Sequence, residues 1–70
     1  MENIGVRCTN EIMNRIDSEH SLTDILNEIE VQRASLCFWT QKKHTPGGKT
    51  LRRMALAGYD VHYILTGERK

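Results

Sequence analysis

The side chains able to do covalent, metal or phosphate chemistry are few, and their spacing argues against all three. The two cysteines are Cys8 and Cys37, with no CxxC pair, and His20, His44 and His62 are scattered. Neither a disulfide scaffold nor a zinc site fits that spacing. No Ser/His/Asp or Cys/His arrangement suggests a nucleophile and its base. Gly47-Gly48-Lys49-Thr50 resembles part of a nucleotide phosphate loop. That loop needs an earlier glycine and a preceding strand, and both are missing. A helical chain of 70 residues also has little room for a cleft. No enzyme, metal, cofactor or small-molecule ligand is expected.

Charge is more informative than reactivity. The net charge is only +1. Residues 1–31 carry Arg7 and Arg15 against seven acidic side chains, whereas residues 32–70 carry eight of the ten basic side chains and only Asp60 and Glu68 as acids. A basic half can serve a polyanion while the whole molecule stays near neutral, although two halves that attract each other would give the same asymmetry.

The elements that must position these charges read as short helices in one small domain, 1–70. Cys8, Ile12 and Ile16 recur every four residues and predict a helix over 3–18, with Met13 alongside and Glu11, Arg15 and Asp17 in water. Ser21-Leu22-Thr23-Asp24 fits a capping box opening a second helix over 21–30, its apolar face Leu22, Ile25, Leu26 and Ile29. Glu30-Val31-Gln32 is a turn with Val31 as its apolar plug. A third helix follows over 33–42, burying Leu36 and Trp39. Residues 42–48 form a loop ended by Pro46 and two glycines. Lys49–Ala57 is a fourth helix with Leu51, Met54 and Ala55 inward and Arg52 and Arg53 in solvent; Gly58 ends it. Asp60 caps a fifth helix whose Val61, Ile64 and Leu65 close the core, with Tyr59 and Tyr63 at its edge. Gly67 stops it before a solvated end, Glu68-Arg69-Lys70.

Five short helices, the second and third joined by a three-residue turn, make an all-α, compact helix-turn-helix domain. In such a domain the second helix of the motif enters the DNA major groove, while the first meets backbone phosphate through its N-terminus. Two stretches carry a resemblance to a known family. Val31-Gln32-Arg33-Ala34-Ser35-Leu36-Cys37-Phe38-Trp39 is similar to a recognition segment of the form V-S-x-x-x-I-x-x-W, and Gly58 to Glu68 is very like the ending G-x-D-V-x-Y-I-L-T-G-E. The chain thus resembles the phage-repressor and Cro-like helix-turn-helix family, the Xre-type transcriptional regulators, over residues 20–68. It departs from the pattern at Glu30, where the turn usually has glycine, at Leu26, where a small alanine is usual, at Leu22 and Thr23, in place of a phosphate-binding glutamine, and at Lys42, where a glycine often follows the recognition helix.

The resemblance implies a five-helix lambda-repressor-like fold and a DNA-binding transcriptional regulator, of repressor or Cro type, borne by a phage or prophage. It implies base-edge contacts from Arg33, Ala34 and Phe38, with Gln32 and Ser35 beside them. It implies phosphate contacts from Gln41, Lys42, Lys43 and Thr45. Arg33 would read guanine through its paired donors, and Ala34 and Phe38 would press on thymine methyls. The partners implied are a double-stranded operator with an inverted repeat and a second copy of the chain, the pair formed either at the C-terminal helix and the loop before it or only on DNA. The plainer readings are a Phe38 that packs in the core or on a protein, and lysines that are ordinary solvated charges. A different use of the same fold is a protein-interaction module, antirepressor-like, docking another regulator through Phe38, Tyr59 and Tyr63. Asp24 and Glu28 favour that use, because carboxylates on the motif's first helix would face phosphate. Met1-Glu2-Asn3-Ile4 has neither a basic start nor an apolar run, so no secretory leader is expected, and no stretch is apolar enough for a membrane span. The expected location is the cytoplasm of a bacterial host, at the nucleoid.

Overall fold

Asn3, Ser21 and Asp60 each present a side-chain oxygen to an amide that helix geometry leaves unpaired, and each opens a helix. Asn3 accepts from the Val6 amide at 2.9 Å, Ser21 from Asp24 at 3.2 Å and Asp60 from Tyr63 at 2.9 Å. The computed structural model describes residues 3–41 and 44–69, and among these it is all-helical. The helices are α1 (Ile4–Met13), α2 (Leu22–Ile29), α3 (Arg33–Thr40), α4 (Gly48–Leu56) and α5 (Val61–Thr66). Lys70, expected in solvent, lies outside the described residues.

α1 is the central element, packed against α3, α5 and α2, while α4 closes on α2 and α5. The core joins Cys8 and Ile12 of α1, Ile25, Leu26 and Ile29 of α2, Trp39, Met54, Tyr59 and Ile64. The Cys8 thiol donates to the Met54 thioether at 3.4 Å. Burial, with a smaller contribution from the Glu11 charge, pushes that thiol up to about 12. Cys8 is therefore a packing residue and no nucleophile at neutral pH.

Several expectations about faces need correction. α1 stops at Met13, not at residue 18. Its end tightens into three-residue bonds, Arg15 amide to Ile12 carbonyl at 3.1 Å and Ile16 amide to Met13 carbonyl at 3.2 Å, and in the turn that follows Asp17 Oδ1 accepts from the amides of Glu19 at 2.8 Å and His20 at 2.7 Å. These amides, led by that of Glu19, and the His20 ring hold its carboxyl below the ordinary carboxylate range. Ile16 is left at the surface, as are Ala55 and Leu65. Glu11 is buried instead, paired with Arg69 at 3.0 Å. Arg69 also bridges to Asp60 at 3.1 Å and lies over the Tyr63 ring, so it is a clasp and not a solvated end. Tyr59 is in the core, not at its edge, with the Arg15 guanidinium over its ring.

Candidate nucleic-acid interface

α3 is held from one side. Trp39 is 5% exposed, and Leu36 is partly buried against the same core. The helix lies against α1 at Gly5, where a Cβ would come within 2.7 Å of the Trp39 carbonyl oxygen and 3.0 Å of its Cα and Cβ. Only a hydrogen at that position lets the two backbones approach this closely. α3 carries no side-chain cap, and its N-cap Gln32 is extended.

What this leaves in solvent is one helical face. Arg33, Ala34, Cys37, Phe38 and Gln41 follow one another at helical spacing and are all exposed, with Gln32 beside them and Ser35 half-buried. Phe38 keeps 43% of its surface in solvent. Its ring meets the His44 ring edge-on at 5.4 Å, and the His44 amide donates to the Phe38 carbonyl at 3.4 Å. His44 therefore lies against the exposed Phe38 side of α3. Pro46 anchors the loop after α3 by burial, and Thr45 remains exposed next to it. Lys42 and Lys43, expected as phosphate contacts, lie outside the described residues.

The turn into α3 answers the missing glycine. Glu30 has φ 56 and ψ 48, the left-handed conformation that glycine ordinarily supplies. A non-glycine residue there costs about 1–2 kcal/mol. The amide of Val31 still closes the end of α2 by donating to the Leu26 carbonyl at 2.9 Å. The Glu30 carboxylate pairs with Arg53 of α4, which is thereby more than a solvated side chain.

α2 divides its polar residues between two surfaces. Thr23 and Asn27 line a shallow groove of about 400 Å³ with Gln32 and Arg33. In that groove Arg33 donates to the Thr23 hydroxyl at 2.9 Å, so the guanidinium lies across the motif and not straight into solvent. Asp24 and Glu28 line a different cleft, of about 270 Å³, with Arg15, Asp17, His20 and Tyr59. The acids of α2 thus sit apart from the surface that Arg33 shares.

Comparison with protein-family models, with curated proteins and with solved structures found no match.

An exposed helix face bearing a guanidinium, two primary amides, a hydroxyl-lined groove and an aromatic ring suits the edges and methyl groups of bases, with phosphates alongside. Among the described residues no group of acids, cysteines and histidines could hold a metal ion, and no helix is long and apolar enough to cross a membrane. The residues that sequence reasoning passed over are Gly5, Asn27 and His44. Asn27 was in principle legible, since Thr23 and Asn27 stand four apart on the side of α2 opposite its apolar stripe. Gly5 and His44 were not, because each acts through a contact across many residues or around a loop.

Proposed function

We propose that the chain is a sequence-specific DNA-binding transcriptional regulator of the repressor or Cro-like type, phage- or prophage-borne, with α2 and α3 as its helix-turn-helix. α3 enters the major groove of one half of an inverted repeat. Arg33, Ala34 and Phe38 meet base edges with Gln32 and Ser35 beside them, while Gln41, Lys42, Lys43 and Thr45 hold phosphates. The chain works as a homodimer, so half-site centres stand one turn, ~34 Å, apart.

The observation that carries this reading is the separation of α3 into two sides. Its anchor, Trp39, is in the core, its outward side is exposed and carries Arg33, Phe38 and Gln41, and Asp24 and Glu28 of α2 lie in a different cleft. That separation supports the reading, because Asp24 and Glu28 line a cleft that Arg33 does not share. The Arg33–Thr23 hydrogen bond adds support. It pre-orders a long side chain, which lowers the entropy lost when the guanidinium meets a base.

Phe38 supports the second reading, a docking face for another regulator, because it is an exposed aromatic on a helix. Its two expected companions weaken that reading. Tyr59 is buried, and Tyr63 is half-buried beneath Arg69.

Selection from random duplex DNA decides between the two. An enriched inverted repeat is expected, and failure of any sequence to enrich would leave the protein-docking reading standing. On the selected site, Arg33→Ala should weaken specific binding by ~1–3 kcal/mol and relax the base preference at one position. Lys43→Ala should weaken specific and non-specific binding alike and lower the salt slope by about one. Identical behaviour of the two variants would overturn the division of roles.

A further inference from the structure

Tyr59 is 7% exposed, and its hydroxyl is buried with no hydrogen-bond partner among the described residues. Buried hydroxyls are nearly always paired, so this one calls for a partner. Tyr59 lines the cleft that also holds Asp24 and Glu28 of α2. Burial pushes its phenol above the ordinary range, and the charges that act on it are led by Arg15, which opposes the rise, and Glu28, which adds to it. Both belong to this cleft, so the hydroxyl sits toward it.

The cations around the cleft are already matched. Arg15 donates to the Ala57 carbonyl at 3.1 Å and lies over the Tyr59 ring at 3.8 Å. The His20 ring is 3.1 Å from Asp17 Oδ1, which also accepts the amides of Glu19 and His20. Arg53 shares the neighbouring depression with Glu28, but its pair is Glu30. Asp24 and Glu28 are left over: among the described residues neither carboxylate makes a hydrogen bond or an ion pair. They stand four apart on one face of α2, where like charges disfavour each other. Ile25 and Ala57 add apolar surface beside them.

We propose that this cleft binds a small organic cation through a primary ammonium group, shared by Asp24, Glu28 and the Tyr59 hydroxyl, with the hydrocarbon body laid on Ile25 and Ala57. An ammonium has three donors and no acceptor, which matches two carboxylates and a phenol oxygen. A metal ion fits less well, since among the described residues no group of acids, cysteines and histidines could hold one. An anion would meet Asp24 and Glu28 while Arg15 is engaged elsewhere. The cleft, about 270 Å³, is smaller than the ~300 Å³ at which drug-sized sites begin, so the ligand has only a few carbons. Composition and spacing gave no reason to expect such a ligand, because Tyr59 and α2 meet only in the folded chain.

The test is an amide NMR titration of the full chain at low salt with n-butylammonium. Tetramethylammonium, which has the charge without N–H donors, and 1-butanol, which has the chain without the charge, are the controls. Butylammonium should give saturable shifts at the amides of residues 24–28 and 57–59, and the two controls should not. Asp24→Asn and Glu28→Gln, at exposed positions, should each weaken binding about tenfold, as expected for one charge-assisted hydrogen bond. Tyr59→Phe should weaken it roughly threefold or more through the lost hydroxyl. Glu68→Gln, exposed and away from the cleft, should leave the affinity unchanged. The absence of saturable shifts would overturn the proposal, and so would tetramethylammonium binding as well as butylammonium. Equal losses in Glu68→Gln and Glu28→Gln would reduce the site to general counter-ion attraction and overturn it too. A Tyr59→Phe protein that binds like wild type would remove the hydroxyl from the site and with it the proposal; should that variant misfold, the Asp24 and Glu28 variants decide. No DNA is present, so either result leaves base reading by α3 untouched.

Discussion

Gly5→Ala is the substitution that most directly challenges how α3 is held. The added methyl carbon would stand 2.7 Å from the Trp39 carbonyl oxygen and 3.0 Å from its Cα and Cβ. Ordinary carbon contacts lie near 3.5–4.0 Å, so α1 and α3 must separate by roughly 0.5–1 Å. The neighbours are backbone atoms and a Cβ, which cannot swing aside as a flexible side chain could. Overpacking of this kind costs typically ~1–3 kcal/mol. Against it stands the helix propensity of alanine over glycine, at most about 1 kcal/mol and smaller here because Gly5 is in the first turn. The net expectation is a loss of about 1–2 kcal/mol. In a domain of this size each kilocalorie lowers Tm by roughly 4–8 °C. Urea unfolding followed by the emission of Trp39, the single tryptophan, reads the loss directly. Gly48→Ala is the control, since nothing lies within 4 Å of a Cβ built there. It should be neutral or slightly stabilising. Because Trp39 anchors α3, the same displacement should also weaken the proposed operator binding beyond what lost stability explains. A Gly5→Ala protein as stable as wild type, or one matching Gly48→Ala, would refute the close-approach argument.

Three further outcomes follow from particular side chains. Glu30→Gly should be more stable than Glu30→Ala by about 1 kcal/mol, because both lose the exposed Arg53 pair but only glycine relieves the left-handed backbone; equal urea midpoints would contradict this. Tyr59→Phe should be neutral or stabilising by thermal denaturation, since the Tyr59 hydroxyl is buried with no hydrogen-bond partner among the described residues and its removal relieves a desolvation cost of ~1–3 kcal/mol; a clear loss of stability would show that the hydroxyl is satisfied. Asp60 is held below its ordinary value of 3.8 by the Tyr63 amide first and by Arg69 as well. Its stabilising effect is therefore present above that value and is lost as pH falls through the lower folded one. Asp60→Asn keeps a capping oxygen but cannot titrate, so urea midpoints measured below about pH 4 should fall less steeply than in wild type.

Local chemistry determined where α2 and α5 begin and which side of α2 faces inward. Ser21 and Asp60 were legible as caps because an N-cap needs only its own side chain and an amide three residues on. The apolar stripe of α2, the buried Trp39 and the stops at Gly58 and Gly67 are local in the same sense. Reading failed where a side chain found a distant partner. Glu11 looked solvated because nothing within its own helix says that Arg69 will reach it. Ile16 looked buried because a four-residue period continues on paper past Met13, where the helix closes in three-residue bonds and ends.

For the candidate interface the division is similar. The amino acids alone marked 33–42 as a helix anchored by Leu36 and Trp39, marked the loop after it as basic, and marked Glu30 as an awkward occupant of the turn. Tertiary structure decided that Glu30 accepts the left-handed backbone and pairs with Arg53. It also decided that Arg33 leans onto Thr23, that the acids of α2 gather with Arg15 and Tyr59 away from α3, and that Gly5 lets α1 carry α3 at backbone distance. Periodicity fixes directions within one helix. The rotation of one helix against another is set by contacts between residues far apart in the chain, and that rotation is what gives α3 its exposed face.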